Sequence, residues 1–147
     1  MSAPFFLDTN VLVYPHDRRE PERGDAAIAV LDSLAACGDA AVSTQVLGEF
    51  FWVVTRRLPD PLTTAQGARN TTRHAKTWRV VEVTAATVRE ALRGAADHGL
   101  PYWDSLILAA ARLAQIPIVL SEDFADGREI DGVVFRNPLK RGFVIGQ

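Results

Sequence analysis

Ten residues near the N-terminus, from Phe5-Phe6-Leu7 through Asp8-Thr9-Asn10 to Val11-Leu12-Val13-Tyr14, restrict the possible folds more than any other stretch. One apolar run halts at an acid, and a second begins after two further polar residues. This pattern predicts a buried strand that delivers Asp8 to its C-terminal tip, with a helical turn beyond it. In open α/β sheets, ligands bind outside the carboxyl ends of the strands. Asp8 is therefore the point around which a site can assemble, although taken alone it also suits a helix cap.

The following residues, Pro15 to Pro21, are polar and proline-bounded and read as a loop. Asp25 then opens a helical pattern in which Ala27, Val30, Leu31, Leu34 and Ala35 share a face, and Gly38 ends it. Ala40–Ser43 is a short strand. Ser43 or Thr44 caps a helix over Gln45–Arg57 that stops at Pro59-Asp60-Pro61. The threonine-rich stretch Leu62–Thr77 carries few large apolar residues and reads as a weakly amphipathic helix or a pair of turns.

Arg79–Val83 is a strand, and Thr84 caps a helix with Val88, Ala91, Leu92 and Ala95 on its apolar side, ending at His98-Gly99. A further helix spans Tyr102–Ala114. Ile116–Leu120 is a nearly continuous apolar run, as suits a strand covered on both faces. Gly132–Phe135 is a last strand before an irregular tail. Strands alternating with helices imply right-handed crossovers and a mostly parallel sheet with helices on both faces, an α/β fold.

A chain of 147 residues fits a single domain over 1–147 and can bury a sizeable core without staples. With hydrophobic residues at 48% and one cysteine, Cys37, it is neither disordered nor held by an internal disulfide. Asp8 interrupts the N-terminal apolar run too early for a signal peptide, and no run is long enough to span a bilayer, so the expected location is the cytoplasm. The net charge of −2 argues against a polyanionic partner, but the basic residues are unevenly placed. Between Arg56 and Arg79 only Asp60 opposes Arg56, Arg57, Arg69, Arg73, Lys76 and Arg79. Local positive charge of this kind supplies much of the affinity for nucleic acid, though it also fits a solvated surface.

Four carboxylates stand where a soluble fold does not ordinarily want them. Glu49 has Gln45, Val46, Trp52 and Val53 at helical spacing and Phe50 and Phe51 beside it, and no Arg or Lys on its face. Asp104 has Leu100, Pro101, Ile107 and Leu108 at the same spacing. Asp123, like Asp8, lies just beyond a buried strand. Burying an ionised carboxylate costs several kcal/mol unless a partner or a metal compensates. Each acid also has an ordinary reading: Asp104 as a cap after Gly99-Leu100-Pro101, Asp123 as a turn residue with Glu122 competing for its role, and Glu49 in a tertiary salt bridge. Taken together, carboxylates without His or Cys suit a hard cation such as Mg²⁺. The histidines, His16, His74 and His98, lie in polar contexts without zinc spacing, and neither a phosphate-cradling loop nor a GxSxG elbow occurs.

The stretches LDTNVLVY, QVLGEFFWV, YWDSLILAAA and VLSEDFADG, in that order along the chain, resemble the PIN-domain ribonucleases and, within them, VapC-type toxins of VapBC toxin–antitoxin systems. The resemblance implies a PIN-like three-layer sandwich, a small mostly parallel sheet flanked by helices. It also implies an acidic pocket, formed by Asp8, Glu49, Asp104 and Asp123, that holds Mg²⁺, or Mn²⁺ in its place, and cleaves RNA by hydrolysis. Thr9, Asn10, Ser43 and Ser105 are candidates for orienting these ligands. A VapB-type antitoxin and a homodimer follow from the resemblance alone. Because sequence-specific RNA recognition targets unpaired loops, the expected substrate is a structured RNA loop, with Arg56–Arg79 as a candidate contact.

Two other functions remain open at this level. An aspartate-nucleophile phosphatase also uses an acid at the first strand tip, but it wants a second aspartate where Asn10 stands and a suitably placed lysine, and only Lys76 and Lys140 exist. A non-catalytic RNA- or protein-binding module would not need all four acids.

Overall fold

The computed structural model describes residues 4–145; the expected domain of 1–147 extends past them at both ends. The strands are β1 Phe5–Leu7, β2 Ala40–Ser43, β3 Arg79–Val81, β4 Ile118–Leu120, β5 Glu129–Ile130 and β6 Val133–Arg136. They form one sheet in the order β3-β2-β1-β4-β6-β5. Every pairing is parallel except the β5–β6 hairpin. Between them run α1 Thr9–Val13, α2 Pro21–Cys37, α3 Thr44–Arg56, α4 Thr64–Thr77, α5 Ala85–His98 and α6 Tyr102–Leu113, with a 3-10 turn at Tyr14–His16. All residues of β1 and β2 are buried, so both faces of the sheet are covered, as a parallel sheet requires. The fold is α/β.

Chain order and sheet order together set where a site can lie. From β1 the chain first moves to β2 and β3 on one side, then returns to place β4 on the other side of β1. The crevice between the carboxyl ends of β1 and β4 is thus a topological switch point, the usual ligand position in such sheets. Phe6, Leu7, Leu12, Val42, Val46, Phe50, Val119, Leu120 and Phe135 are fully buried beneath it. Truncating one such ring, Phe50 to Ala, is expected to cost about 3–5 kcal/mol.

Several local expectations need correction. The second helix begins at Pro21, four residues before Asp25, because proline at the first helical position presets φ and lacks only an N–H that would be unpaired there. Gly38, at φ +69°, ends it as expected. Leu62–Thr77 is not a pair of turns. Thr63 and Gln66 form a reciprocal capping box, with Gln66 N–H donating to Thr63 Oγ1 at 3.1 Å and Thr63 N–H to Gln66 Oε1 at 2.9 Å.

Gly67 lets α4 lie directly on α3: a Cβ there would meet Thr55 Cγ2 at 2.4 Å. The buried stripe of α5 is Thr87, Ala91 and Gly94, and Leu92 is exposed, so the predicted apolar face is rotated. A close α5–α6 approach, not side-chain hydrophobicity, selects that stripe. Strands β3 and β4 are shorter than the apolar runs that announce them, and β5, two residues long, has no apolar run to announce it.

Candidate active site

Asp8 directly follows β1 and caps α1. Its Oδ1 accepts the Thr9 N–H at 2.7 Å and its Oδ2 accepts the Ser121 hydroxyl at 2.7 Å. The cap and strand-tip readings are therefore both realised by one side chain. Ser121 follows β4, so this bond spans the switch point, where Asp8 N–H also donates to the Leu120 carbonyl at 3.0 Å. Only 5% of Asp8 is exposed. Burial pushes its carboxyl up to about 7, opposed by the bonds from Ser121 and Thr9 and reinforced by the charges of Asp123 and Glu49.

Glu49 stands beside the buried face of α3 formed by Val46, Phe50 and Val54. Ser43 rather than Thr44 caps this helix, accepting the Val46 N–H at 3.1 Å. Thr9 Oγ1 donates to Glu49 Oε2 at 3.0 Å, and Gln45 Nε2 donates to Oε1 at 2.7 Å. Gln45 Nε2 also reaches the Trp103 carbonyl at 3.3 Å, which ties α3 to α6. Its own Oε1 is buried without a partner among the described residues. The donors, not the acceptor, set its orientation.

Asp104 lies in the first turn of α6 but does not cap it; that position belongs to Pro101, without a side-chain bond. Burial raises its carboxyl, with Asp123 and Glu49 adding to the effect. Asp123 is exposed on the loop after β4. Its N–H donates to Ser121 Oγ at 3.0 Å, and the next residue, Phe124, stacks on Phe135 at 3.9 Å to anchor the loop. Glu122 points to other partners: Arg23 at 2.7 Å and the Tyr14 hydroxyl.

The structure thus brings Asp8, Glu49, Asp104 and Asp123 into one electrostatic field. Among the described residues none of the four is paired with Arg, Lys or His. Nor do three His, Cys, Asp or Glu side chains there stand together as a ready-made metal cage. The set nevertheless fits a divalent cation. All donors are carboxylate oxygens, their charges are uncompensated, and a loose arrangement suits Mg²⁺, which keeps several waters and uses few protein ligands.

Of the expected orienting residues, Thr9 contacts Glu49, and Asn10 contacts Ser121 Oγ at 3.3 Å while accepting the Glu122 N–H. Ser43 serves its helix and Ser105 donates to the Ala91 carbonyl at 2.7 Å, so neither touches the acids. The positions overlooked are Gln45, one turn before Glu49, and the Ser121 hydroxyl, which takes three of the bonds at the switch point. The first had a signal in its i, i+4 spacing. The second depends on a contact between residues far apart in the chain.

The basic segment runs from the end of α3 through α4 to the start of β3. Arg57 borders a groove of about 1000 Å³ that also contains Glu49, and a second cavity of about 480 Å³ that contains Asp123. Among the described residues Arg56, Arg57, Arg69, Arg73, Lys76 and Arg79 have no ion pair. His16 and His74 do not lie in polar surroundings: both rings pack edge-on against Phe50, at 5.6 and 4.8 Å.

Comparison with known proteins finds the same fold in solved structures. A toxin–antitoxin complex from Klebsiella pneumoniae is 19% identical over 90% of this chain and 96% of its own, with a TM-score of 0.65. VapBC2 from Rickettsia felis, bound to a DNA fragment from their promoter, is 19% identical over 90% and 97%, with a TM-score of 0.65. VapC20 from Mycobacterium tuberculosis, a Sarcin-Ricin loop cleaving toxin, is 22% identical over 81% and 91%, with a TM-score of 0.61. At these identities the likeness is one of fold. No curated protein matches the sequence. The family model for the PIN domain matches residues 5–126, which run from β1 through the loop after β4 and include all four acids; the chain belongs to the PIN domain family.

Proposed function

We propose that this protein is a divalent-metal-dependent endoribonuclease of the cytoplasm, acting as the toxin of a type II toxin–antitoxin pair. The observation that carries the reading is the convergence, on a PIN fold, of Asp8, Glu49, Asp104 and Asp123 with no cationic side chain paired to them among the described residues. Four carboxylates alone would repel a phosphodiester. Mg²⁺, with Mn²⁺ as a substitute, would supply Lewis acidity and a water of lowered pKa when held by these residues.

The chain's own contribution is positioning and charge. Thr9 N–H and Ser121 hold Asp8 in one orientation, and Thr9 Oγ1 and Gln45 hold Glu49. Arg57, without an ion pair among the described residues and bordering both acid-lined cavities, is placed to meet a phosphate of the bound strand. The partners are an RNA substrate, a structured RNA loop, a VapB-type antitoxin and a second copy of the chain. A solved relative described as cleaving the sarcin-ricin loop supports the RNA substrate, and others described as toxin–antitoxin or VapBC complexes support the antitoxin.

Incubation of the purified protein with total RNA tests the reading. Fragments are expected with Mg²⁺, and neither with EDTA nor with Asp8→Asn. Cleavage unchanged by EDTA or by Asp8→Asn refutes it, and hydrolysis of a phosphomonoester in place of RNA assigns the site to a phosphatase.

A further inference from the structure

Two large aromatic side chains are left in solvent at the rim of the acid site. Trp52 is 55% exposed and Trp103 is 64% exposed, whereas the third tryptophan, Trp78, is 5% exposed and belongs to the core. Trp52 lies one helical turn after Glu49 on α3, and Trp103 immediately precedes Asp104 on α6. Both line the groove of about 1000 Å³ that contains Glu49, whose floor is apolar and includes Val53, Val83 and Leu106.

The two walls are fixed relative to one another. Gln45 bridges the Glu49 carboxylate and the Trp103 carbonyl, and the Tyr102 ring packs edge-on against the Trp103 ring at 5.0 Å. Arg57 lines the same groove and also borders the cavity holding Asp123. An exposed indole is energetically neutral for folding at best, and two around one groove form an apolar patch of the kind that marks a binding site.

We infer that Trp52 and Trp103 form a stacking platform for two unpaired bases of single-stranded RNA flanking the scissile phosphate, with Arg57 taking a backbone phosphate between groove and acids. The inference rests on the nuclease reading above and extends it to how substrate is held. Nucleic acid is favoured over a protein helix because Arg57 in the groove has no ion pair among the described residues and the groove shares Glu49 with the acid cluster. The large hydrophobic side chains it leaves exposed are two indoles, not an aliphatic stripe. Every base has a π-face, so such a platform binds unpaired nucleotides with little sequence preference and rejects a duplex, whose bases are already stacked.

The test is equilibrium binding of the full chain to hexaadenylate RNA and to an abasic hexamer with the same backbone, both with phosphorothioate linkages that resist hydrolysis, in Mg²⁺ at low salt. Quenching of indole fluorescence and fluorescence anisotropy report the complex. Trp52→Ala and Trp103→Ala should each weaken hexaadenylate binding by about five- to a hundredfold, the range for loss of one stacked base. Neither should change abasic binding, and Trp52→Phe and Trp103→Phe should retain most of the affinity. Arg57→Ala should weaken both ligands alike and flatten the salt dependence by about one charge.

Equal affinity for the hexaadenylate and abasic hexamers, or Ala variants that bind hexaadenylate like the parent, overturns the platform. So does loss of self-association or of antitoxin binding in the Ala variants without any change in RNA affinity, which would make the groove a protein interface. The two readings fail separately. A platform without cleavage refutes the nuclease, and metal-dependent, Asp8-dependent cleavage with indifferent tryptophans refutes the platform.

Discussion

Replacing Asp8 with Asn should make the metal-free protein more stable at alkaline pH and remove that advantage at acid pH. Asp8 is buried, its carboxyl is raised from 3.8 to about 7, and no cation faces it among the described residues. A group whose folded pKa lies above its unfolded value contributes stability that is complete below the unfolded pKa and is lost as pH rises through the folded one. Here the loss runs from about pH 4 to pH 7, and a rise from 3.8 to about 7 corresponds to roughly 4 kcal/mol.

Asn escapes that penalty but does not fit without cost. Its oxygen can still accept the Thr9 N–H. Its amide nitrogen, at the place of Oδ2, meets a Ser121 hydroxyl that already receives N–H groups from Asp123 at 3.0 Å and Asn10 at 3.3 Å. One of those bonds is displaced, at about 1–2 kcal/mol. The variant should therefore be roughly 2–3 kcal/mol more stable at pH 8.5 and near parity at pH 5. For a chain of this size the gain amounts to about 4–10 °C in Tm.

Thermal unfolding followed by circular dichroism, in EDTA at the two pH values, measures the difference. Added Mg²⁺ should then stabilise the parent and leave the variant unchanged. A difference independent of pH, or a variant less stable at pH 8.5, would mean that Asp8 ionises in the native protein without penalty, and the electrostatic account of the site would be wrong.

Two further outcomes follow from the packing. A Cβ on Gly94 would meet Ser105 Oγ at 2.7 Å, so Gly94→Ala should cost about 1–3 kcal/mol, and Ser105→Ala in the same chain should recover part of it; strictly additive urea-unfolding energies would show that the two side chains do not meet. Burial pushes the His74 ring down to about 4, with His16 and Arg73 adding to the effect, and its Nδ1 accepts the Trp78 indole N–H at 3.0 Å. Stability present above pH 6.5 should thus be lost as pH falls from 6.5 toward 4, while His74→Gln, which retains an acceptor and does not titrate, should flatten that slope in urea midpoints; identical slopes would place the ring in water.

Much of this protein can be read from local order in its sequence. Apolar runs ending in acids mark β1 and β4, caps and glycines mark helix ends, and the four carboxylates stand out because each sits beside apolar neighbours with no cation in reach along the chain. Those are properties of neighbouring residues, and periodicity exposes them. Assignments resting on one side chain alone fared worse. Asp8 satisfies a helix cap and a site at once, Ser105 turns to α5, and Leu92 points to solvent because Gly94 and Ala91 allow two helices to approach.

Tertiary structure alone decided which residues meet at the switch point. Ser121 lies 113 positions from Asp8, yet it fixes that carboxylate and the Asp123 backbone together. Glu122 is drawn off to Arg23 and Tyr14, a separation that its position next to Asp123 does not reveal. The acids are conspicuous in sequence because burying charge is costly wherever it occurs. Their mutual field, the hydroxyl that organises it and the two tryptophans beside it depend on strand order and helix approach, which no local pattern encodes.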